Sequence, residues 1–365
     1  MVKEKVIVNY NFSKFYKNKK ILITGATGFK GAWLCNWLVY IGAKVYGIGS
    51  DPNQNENLFY KLELNKKINL KILDVRNFKI LNNFVNKVKP SIIFHLAAQP
   101  LIYESYKKPY LTFDVNFKGS LNIVEISRKS KFVKSLVIAT SDKCYESNNS
   151  TKGFKETDVL GGIDPYSSSK AATEIMVRAY RKSFFNTNQN KLGISTGRAG
   201  NVMGGGDRSK KRLIPDCIKL IMSKKTILIR NPNFNRPWQH VLESLKGYLI
   251  LAKQQFINPK KFSGAWNFGT NPNSLTDVKT IVEYIIKFWG SGKIKVKKNK
   301  FYEQENLQLN SNKAKKYLNW KPTYNIKQSV KFTTDWYFKV ICSGECPKKV
   351  TNDQIKKYMY DSKIY

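Results

Sequence analysis

The sequence is poor in the residues that build disulfide frameworks, metal sites and membrane spans. Its 365 residues include five cysteines, an odd number scattered along the chain, and only two histidines. Neither count fits a disulfide framework or a metal site, so we expect reduced thiols and no metal. No run of about 18 apolar residues could cross a bilayer, and the polar N-terminus lacks the apolar segment of a secretory signal. We therefore expect a cytoplasmic protein with no membrane partner.

Acidic residues are also scarce, with 25 against 64 basic residues and a net charge of +39. Such an excess raises the question of nucleic-acid binding. Only nine of the basic residues are arginine, which is the side chain best suited to fork onto phosphates and guanine edges. The lysines are spread along the whole chain rather than gathered in one stripe. We interpret the excess as a compositional bias and expect no nucleic-acid partner, although a positive field would attract an anionic substrate.

The first half of the chain alternates short apolar runs with segments of helical spacing. This alternation predicts an α/β fold with a doubly wound parallel sheet of the Rossmann type. Predicted strands cover residues 20–24, 44–49, 70–73, 91–96 and 135–140, and a predicted helix covers 31–41. The pattern changes after residue 198, where we expect helices over 212–222 and 277–289 and a strand over 226–229. We expect this second part to form a smaller α/β substrate domain.

A glycine-rich segment, Thr24 to Gly31, follows the first predicted strand and opens the first predicted helix. Its GxxGxxG spacing in this context is typical of a dinucleotide-binding turn, whose helix N-terminus favours a pyrophosphate. Asp51 follows the second predicted strand and could bind the adenosine ribose, which favours NAD over NADP. We predict NAD as the cofactor, with contacts from Gly25, Thr27, Gly28, Phe29, Lys30, Gly31, Asp51, Asp74, Val75, Leu96, Ala97, Ala98, Gln99, Thr140, Tyr166 and Lys170. His95 is interpreted as a packed core histidine.

Two further clusters carry chemistry. Asp142 and Lys143 follow the fifth predicted strand, where a carboxylate beside an amine can supply acid–base catalysis. Tyr166 and Lys170 have the spacing that places them one helical turn apart. An ammonium near a phenol favours the phenolate, so we expect a lowered pKa for Tyr166 and a role as general base.

Together these motifs resemble the extended short-chain dehydrogenase/reductases, and within them the nucleotide-sugar 4,6-dehydratases that act on CDP-glucose. The resemblance runs from about residue 18 to about residue 345. Its carriers are TGATGFKGAWLCNWL (24–38), FHLAAQPL (94–101), TSDKCY (140–145), DPYSSSK (164–170), GRAGNVMGGGD (197–207), RLIPD (212–216), IRNPNFNRPWQHVLE (229–243) and WNFG (266–269). The segment that follows Asp207 departs from the pattern, since a tryptophan is expected there.

The resemblance implies a lyase that converts CDP-glucose to CDP-4-keto-6-deoxy-glucose through bound NAD, for deoxysugar and O-antigen supply. It assigns Tyr166 as the base at the sugar 4-hydroxyl, Ser141 as a partner of the 4-oxygen, and Asp142 as the acid for the leaving 6-hydroxyl. Lys143 stands where related dehydratases carry a glutamate base, and the group that removes the carbon 5 proton stays open. The substrate-binding residues that it implies are Arg198, Asn201, Arg212 and Arg236.

The resemblance also implies an assembly and a domain plan. We expect a homodimer, or a tetramer, paired through helices at about 112–128 and 168–185. The expected segments are an N-terminal extension (1–17), an NAD-binding domain (18–197), a substrate domain (198–345) with parts near 235–270 returning to the first domain, and a peripheral tail (346–365). Two alternatives stay open: a nucleotide-sugar 4-epimerase or a dehydratase for another nucleotide hexose, and a non-enzymatic dinucleotide-binding protein that uses the same fold.

Overall fold

The computed structural model describes residues 12–50, 57–146, 153–185, 192–209, 211–229, 231–270, 275–296 and 308–364. The helices are α1 Phe12–Tyr16, α2 Phe29–Tyr40, α3 Leu58–Lys61, α4 Phe78–Val88, α5 Ile102–Lys107, α6 Pro109–Phe113, α7 Gly119–Lys129, α8 Pro165–Tyr180, α9 Leu213–Met222, α10 Val241–Ile257, α11 Pro259–Phe262, α12 Val278–Trp289, α13 Asn312–Leu318, α14 Ile326–Ile341 and α15 Pro347–Asp361. Short 3-10 turns lie at Leu64–Lys66 and Asp142–Cys144, and π turns at Asp114–Lys118 and Arg181–Phe185.

The strands are β1 Lys20–Thr24, β2 Lys44–Gly49, β3 Asn69–Ile72, β4 Ile92–His95, β5 Ser135–Ala139, β6 Gly193–Ala199, β7 Val202–Met203, β8 Ile227–Ile229, β9 Asn235–Arg236, β10 Gln239–His240, β11 Gly264–Phe268, β12 Thr276–Asp277 and β13 Ile294–Val296. Seven of them form one parallel sheet in the order β11-β6-β5-β4-β1-β2-β3. This sheet confirms the predicted doubly wound α/β fold. Its outer strand β11 comes from the stretch 235–270 that was expected to return to the first domain.

Successive residues of the central strands point to opposite faces of the sheet, and both faces are covered. Along β1, Ile21 and Ile23 join one buried apolar cluster while Leu22 joins the other. Apolar residues on both faces are the pattern of a parallel sheet covered by helices, which explains why these strands read as continuous apolar runs. The reversal of strand order between β1 and β4 opens a crevice at their carboxyl ends.

The first and last helices of the described residues, α1 and α15, each bury side chains against the rest of the protein. Tyr358 of α15 is fully buried, packs edge-on against Trp37 and donates a 2.6 Å hydrogen bond to Glu243. Tyr16 of α1 is also fully buried and donates to the Leu249 carbonyl. Helices α1 and α15 therefore complete the packing around α2 and α10, and the prediction that residues 346–365 are peripheral is wrong. Among the helices of the described ranges, none combines the length and the apolar character needed to traverse a membrane.

Candidate active site

The predicted site residues meet at one edge of the sheet because parallel strands end on the same side. Strand β1 ends at Thr24 before the glycine turn, β4 ends at His95, β5 ends at Ala139 before Ser141, and β6 ends at Ala199. Residues that are far apart in the chain are thus neighbours at the carboxyl ends of four adjacent strands. The topology alone places the dinucleotide motif beside the acid–base motifs.

The glycine turn has the close packing that a dinucleotide fold requires. Gly25 has a φ of +71°, and a Cβ there would lie 2.7 Å from the Ala97 nitrogen. A Cβ at Gly31 would lie 2.0 Å from the Gly25 carbonyl oxygen, so only glycine lets α2 approach the turn this closely. Gly28 is exposed at the N-terminus of α2, where no side chain of the described residues caps the helix. Its backbone therefore fits an anion such as a pyrophosphate.

The remaining predicted cofactor residues of the turn support its shape. Thr27 Oγ1 donates to the Ser50 carbonyl across 3.4 Å, and the Thr27 carbonyl accepts a 3.0 Å hydrogen bond from Asn57. Phe29 packs against Gly204, beyond the end of β6. Asp51, the predicted ribose ligand, lies outside the described residues.

The third strand leads to a salt bridge. Arg76 donates to both carboxylate oxygens of Asp74, at 3.0 and 2.8 Å from Nε, and this pairing holds the pKa of Asp74 below its usual value. Val75 is buried, and its carbonyl accepts a 3.0 Å hydrogen bond from Asn122. Both predicted cofactor residues therefore lie at the sheet edge, with the carboxylate of Asp74 committed to Arg76.

The end of β4 is held by a hydrogen-bond network that the sequence did not reveal. Asn116 accepts from the Gln99 nitrogen at 2.7 Å and donates to the Gln99 carbonyl at 3.2 Å and to Ser169 Oγ at 2.9 Å. Asn116 sits in the π turn between α6 and α7, a feature often found at functional sites. It therefore joins the predicted cofactor segment Leu96–Gln99 to helix α8, which carries Tyr166.

His95 is a core residue, as interpreted from the sequence. Its Nδ1 lies 2.7 Å from Thr24 Oγ1 and its Nε2 lies 3.1 Å from Ser120 Oγ. Burial, with a smaller effect from the Lys170 charge, lowers the pKa of His95 to about 3. A neutral, doubly hydrogen-bonded imidazole in this position orders the strand end.

The segment after β5 folds into a 3-10 turn that fixes the predicted acid. Ser141 Oγ donates to Asp142 Oδ1 across 3.0 Å and accepts from the Lys143 nitrogen at 3.2 Å. Asp142 is 3% exposed, and a Cβ at Gly200 would lie 3.0 Å from its Oδ2. Burial raises the pKa of Asp142, against the opposing effects of Lys143, Ser141 and Lys30. A carboxyl group that holds its proton more tightly than usual is suited to act as a general acid.

Tyr166 lies in the first turn of α8, which begins behind the N-cap Asp164. A side-chain hydrogen bond with Ser141 and the charge of Arg212 lower the phenol pKa, but desolvation outweighs both and raises the pKa of Tyr166 to about 12. The expected lowering by Lys170 is therefore not found. Lys170 is buried one turn later, donates a 3.3 Å hydrogen bond to the Ala139 carbonyl, and has its own pKa lowered by burial to about 8.

The predicted substrate residues separate into two groups. Arg212 precedes α9, contacts Asp207 at 3.2 Å and is close enough for its charge to act on Tyr166. Asn201 is half-buried between β6 and β7, and Arg236 lies in β9 with its guanidinium 5.3 Å from the ring centroid of Phe234. Asn201 therefore follows the carboxyl end of β6, and the Arg212 charge acts on Tyr166, while Arg236 lies on the small sheet of β9 and β12.

Arg198 belongs to the structural interior instead. Its guanidinium donates to Glu174 at 2.7 Å and to Tyr145 at 2.6 Å, and the residue is 2% exposed. A guanidinium enclosed in this way is committed to protein partners, so the structure gives no support to the predicted diphosphate contact. The sequence carries one signal for the Arg198–Glu174 pair. Glu174 follows Lys170 by four residues, so the spacing predicts that Glu174 lies on the same face of the helix as Lys170.

The fold and this site define a class of proteins. The chain belongs to the GDP-mannose 4,6 dehydratase family, whose model matches residues 22–333. Within that class, it is 37% identical over 350 residues to the CDP-glucose 4,6-dehydratase of Salmonella typhimurium, covering 94% of this chain and 97% of that relative. This homology confirms the resemblance found in the sequence.

Solved structures show the same fold. UDP-glucose 4-epimerase from Thermotoga maritima, solved with UDP-glucose, aligns with a TM-score of 0.76 and 21% identity, covering 88% of this chain and 99% of that one. dTDP-glucose 4,6-dehydratase from Bacillus anthracis, solved in complex with NAD, aligns with a TM-score of 0.74 and 22% identity, covering 88% and 97%. Dehydratases and epimerases share this architecture, so the fold alone does not choose between them.

Proposed function

We propose that this protein is an NAD-dependent lyase that removes water from CDP-glucose to give CDP-4-keto-6-deoxy-glucose. The observation that carries the proposal is the 37% identity to a CDP-glucose 4,6-dehydratase along nearly the full length of both chains. The geometry adds support, because Asp142, Tyr166 and Lys170 lie at the same sheet edge as the glycine turn.

The residues of the chain fit NAD as the cofactor. Gly28 and the N-terminus of α2 would hold the pyrophosphate, and Leu96 to Gln99 would line its path toward Tyr166 and Lys170. When bound, NAD would supply reversible hydride transfer between sugar carbons 4 and 6 without net consumption, and its cationic oxidised ring would favour the Tyr166 phenolate.

The proposed chemistry of the protein is proton transfer. Tyr166 accepts the proton of the sugar 4-hydroxyl, and Ser141, its hydrogen-bond partner, also bonds the 4-oxygen. The resulting ketone acidifies the proton on carbon 5. Asp142 gives its proton to the leaving 6-hydroxyl, for which its raised pKa is suited. Lys143 stands next to Asp142, where it can assist removal of the carbon 5 proton.

Arg212, Arg236 and Asn201 form the proposed diphosphate site, since guanidinium groups bind phosphate oxygens in pairs.

We also propose the domain division at residue 197, a cytoplasmic location and a role in deoxysugar supply for surface polysaccharide such as O-antigen. For assembly, we propose a homodimer or a tetramer. The segments expected to pair, 112–128 and 168–185, expose the large apolar side chains of Phe113, Ile175 and Phe184.

The decisive experiment incubates the purified protein with NAD and, separately, CDP-, dTDP-, UDP- and GDP-glucose and GDP-mannose, and follows the products by mass spectrometry. We expect a product lighter by one water from CDP-glucose alone. CDP-glucose labelled with deuterium at carbon 4 should give product that carries the label at carbon 6. Loss of water from another nucleotide sugar would keep the dehydratase reaction but overturn the assignment of CDP-glucose as the substrate. A product of unchanged mass would identify a 4-epimerase.

A further inference from the structure

A third cationic side chain, that of Lys30, is close enough to Lys170 and Arg212 for their charges to act on it. Lys30 is the second residue of α2 and comes directly from the glycine turn. Its Nζ lies 5.8 Å from the ring centroid of Tyr248. In the described part of the chain, no carboxylate forms an ion pair with it. Its surroundings therefore stabilise its charge weakly.

Tyr248 connects Lys30 to the acid–base segment. Its hydroxyl donates to the Gly197 carbonyl across 3.4 Å, and the Thr140 nitrogen donates to the same carbonyl at 3.0 Å. Thr140 leads directly into Ser141 and Asp142. The Lys30 ammonium consequently faces the acid–base groups from the direction of the glycine turn.

The electrostatics agree with this position. Desolvation, together with the charges of Arg212 and Lys170, lowers the pKa of Lys30 to about 8 against the opposing charge of Asp142. The Lys30 charge is in turn one of the smaller effects that oppose the raised pKa of Asp142. Placing a half-buried ammonium near other cations opposes folding, so a lysine here calls for a use that an apolar side chain could not serve.

Lys30 follows Gly28 by two residues, and its ammonium is close enough to Lys170 and Asp142 for their charges to act on it. A dinucleotide that binds at Gly28 and reacts beside Tyr166 would therefore have this ammonium near it. The oxidised nicotinamide ring carries a positive charge, whereas the reduced ring is neutral. A fixed cation nearby repels only the oxidised form. We propose that Lys30 raises the reduction potential of the bound nicotinamide and so favours oxidation of the substrate. This inference rests on the proposed NAD-dependent function.

The redox step is balanced by groups already named. The hydride that leaves sugar carbon 4 reduces the nicotinamide ring, the 4-hydroxyl proton passes to Tyr166, and the alcohol becomes a ketone. Lys30 supplies no proton or electron in this step. Its charge favours binding of the neutral reduced ring over binding of the cationic oxidised ring. The size of this preference is measured by the ratio of the dissociation constants of NAD and NADH.

The test measures how strongly NADH competes with NAD for the protein, without any nucleotide sugar, by equilibrium displacement of isotope-labelled NAD. Relative to the unmodified protein, Lys30→Met should shift the NADH-to-NAD affinity ratio about tenfold toward NAD, which corresponds to about 30 mV for a two-electron couple. Lys30→Arg keeps the charge and should keep the ratio. Lys44→Met removes an exposed lysine where β2 begins, at the opposite edge of the sheet, and should leave the ratio unchanged.

Each outcome bears on a separate claim. An unchanged ratio in Lys30→Met, whether both affinities persist or fall together, would overturn the redox role. A shift of equal size in Lys30→Arg would assign the effect to side-chain shape and would overturn it as well. Failure of the unmodified protein to bind either form would instead refute the proposed cofactor.

Discussion

Arg198 Nη2 donates a hydrogen bond to Glu174 Oε2 across 2.7 Å, and both side chains are almost fully buried. The other contacts of the carboxylate come from Thr140, at 2.5 Å, and Thr196, at 2.8 Å. The pair thus ties β6 and the end of β5 to α8, one turn beyond Lys170. Because Thr140 leads directly into Ser141 and Asp142, the Arg198–Glu174 pair helps to position these two residues.

Removing the Arg198 side chain should destabilise the fold rather than weaken substrate binding. Arg198→Ala would leave Glu174 as an uncompensated buried charge, with an expected loss of about 3–5 kcal/mol in the free energy of unfolding. Urea denaturation measures this loss. Arg128→Ala breaks the more exposed pair with Glu125 and should cost less than about 1 kcal/mol. A stable Arg198→Ala protein with a raised KM for the nucleotide sugar would restore the substrate role predicted from the sequence.

Asp142→Asn should stop dehydration and leave cofactor binding intact. The amide cannot give a proton to the leaving hydroxyl, so kcat should fall by about 10²–10⁴. Because burial raises the Asp142 pKa, its proton is present below that pKa, and the rate attributable to this acid should decline as the pH rises through it. The variant should lack this decline. Asp353→Asn, at an exposed carboxylate of α15, is the control and should behave as the unmodified protein. Full turnover by Asp142→Asn would remove the acid role.

Much of the sheet could be predicted because its strands are apolar runs bounded by glycines and polar residues. The predictions for residues 20–24 and 44–49 match β1 and β2, while 91–96 and 135–140 overrun β4 and β5 by one or two residues. The motif residues of the site also follow from spacing, since parallel strands bring their ends together. Contacts between distant residues cannot be predicted from such local patterns. The sequence around Arg198 does not distinguish a guanidinium that binds substrate from one that is enclosed by Glu174 and Tyr145.

The last helix was misjudged for a similar reason. The sequence predicts a peripheral tail over 346–365, whereas Val350, Ile355 and Tyr358 of this helix are buried. The pKa of Tyr166 was also misjudged, because desolvation depends on the surrounding chain rather than on the spacing to Lys170.

Arg212→Ala should weaken binding of the nucleotide sugar. A charge-assisted contact to phosphate contributes about 1.5–3 kcal/mol, so KM should rise roughly 10- to 100-fold. Stability should change little because Arg212 is partly exposed and its contact with Asp207 spans 3.2 Å. Lys219→Ala removes an exposed positive charge from the following helix and should leave KM unchanged. Steady-state kinetics on CDP-glucose measures both, and an unaltered KM in Arg212→Ala would exclude it from the diphosphate site.

His240 should make the protein sensitive to acid. It is fully buried at the N-cap of α10, and burial lowers its pKa to about 3. The unfolded chain binds a proton near pH 6.5 and the folded chain does not, so the stabilising effect is complete above about 6.5 and is lost as the pH falls toward 3, by about 1.4 kcal/mol per pH unit. His240→Asn, which can still cap the helix, should flatten the loss of unfolding free energy between pH 6 and 4.5 by about 1 kcal/mol per unit. Urea titrations across this range check the slope, and an unchanged slope would show that His240 does not carry it.

The hydrogen bond from Tyr358 to Glu243 should hold the end of the chain against α10. Glu243 is fully buried, and its carboxylate also accepts from the backbone nitrogens of Thr323 and Tyr324. Tyr358→Phe keeps the ring contact with Trp37 but removes one donor, which should lower the free energy of unfolding by about 1–3 kcal/mol. Tyr360→Phe deletes the same hydroxyl from a ring that is 78% exposed on the same helix and should have no measurable effect. Equal stability of the two variants in urea would mean that the contact is dispensable and that apolar packing alone secures α15.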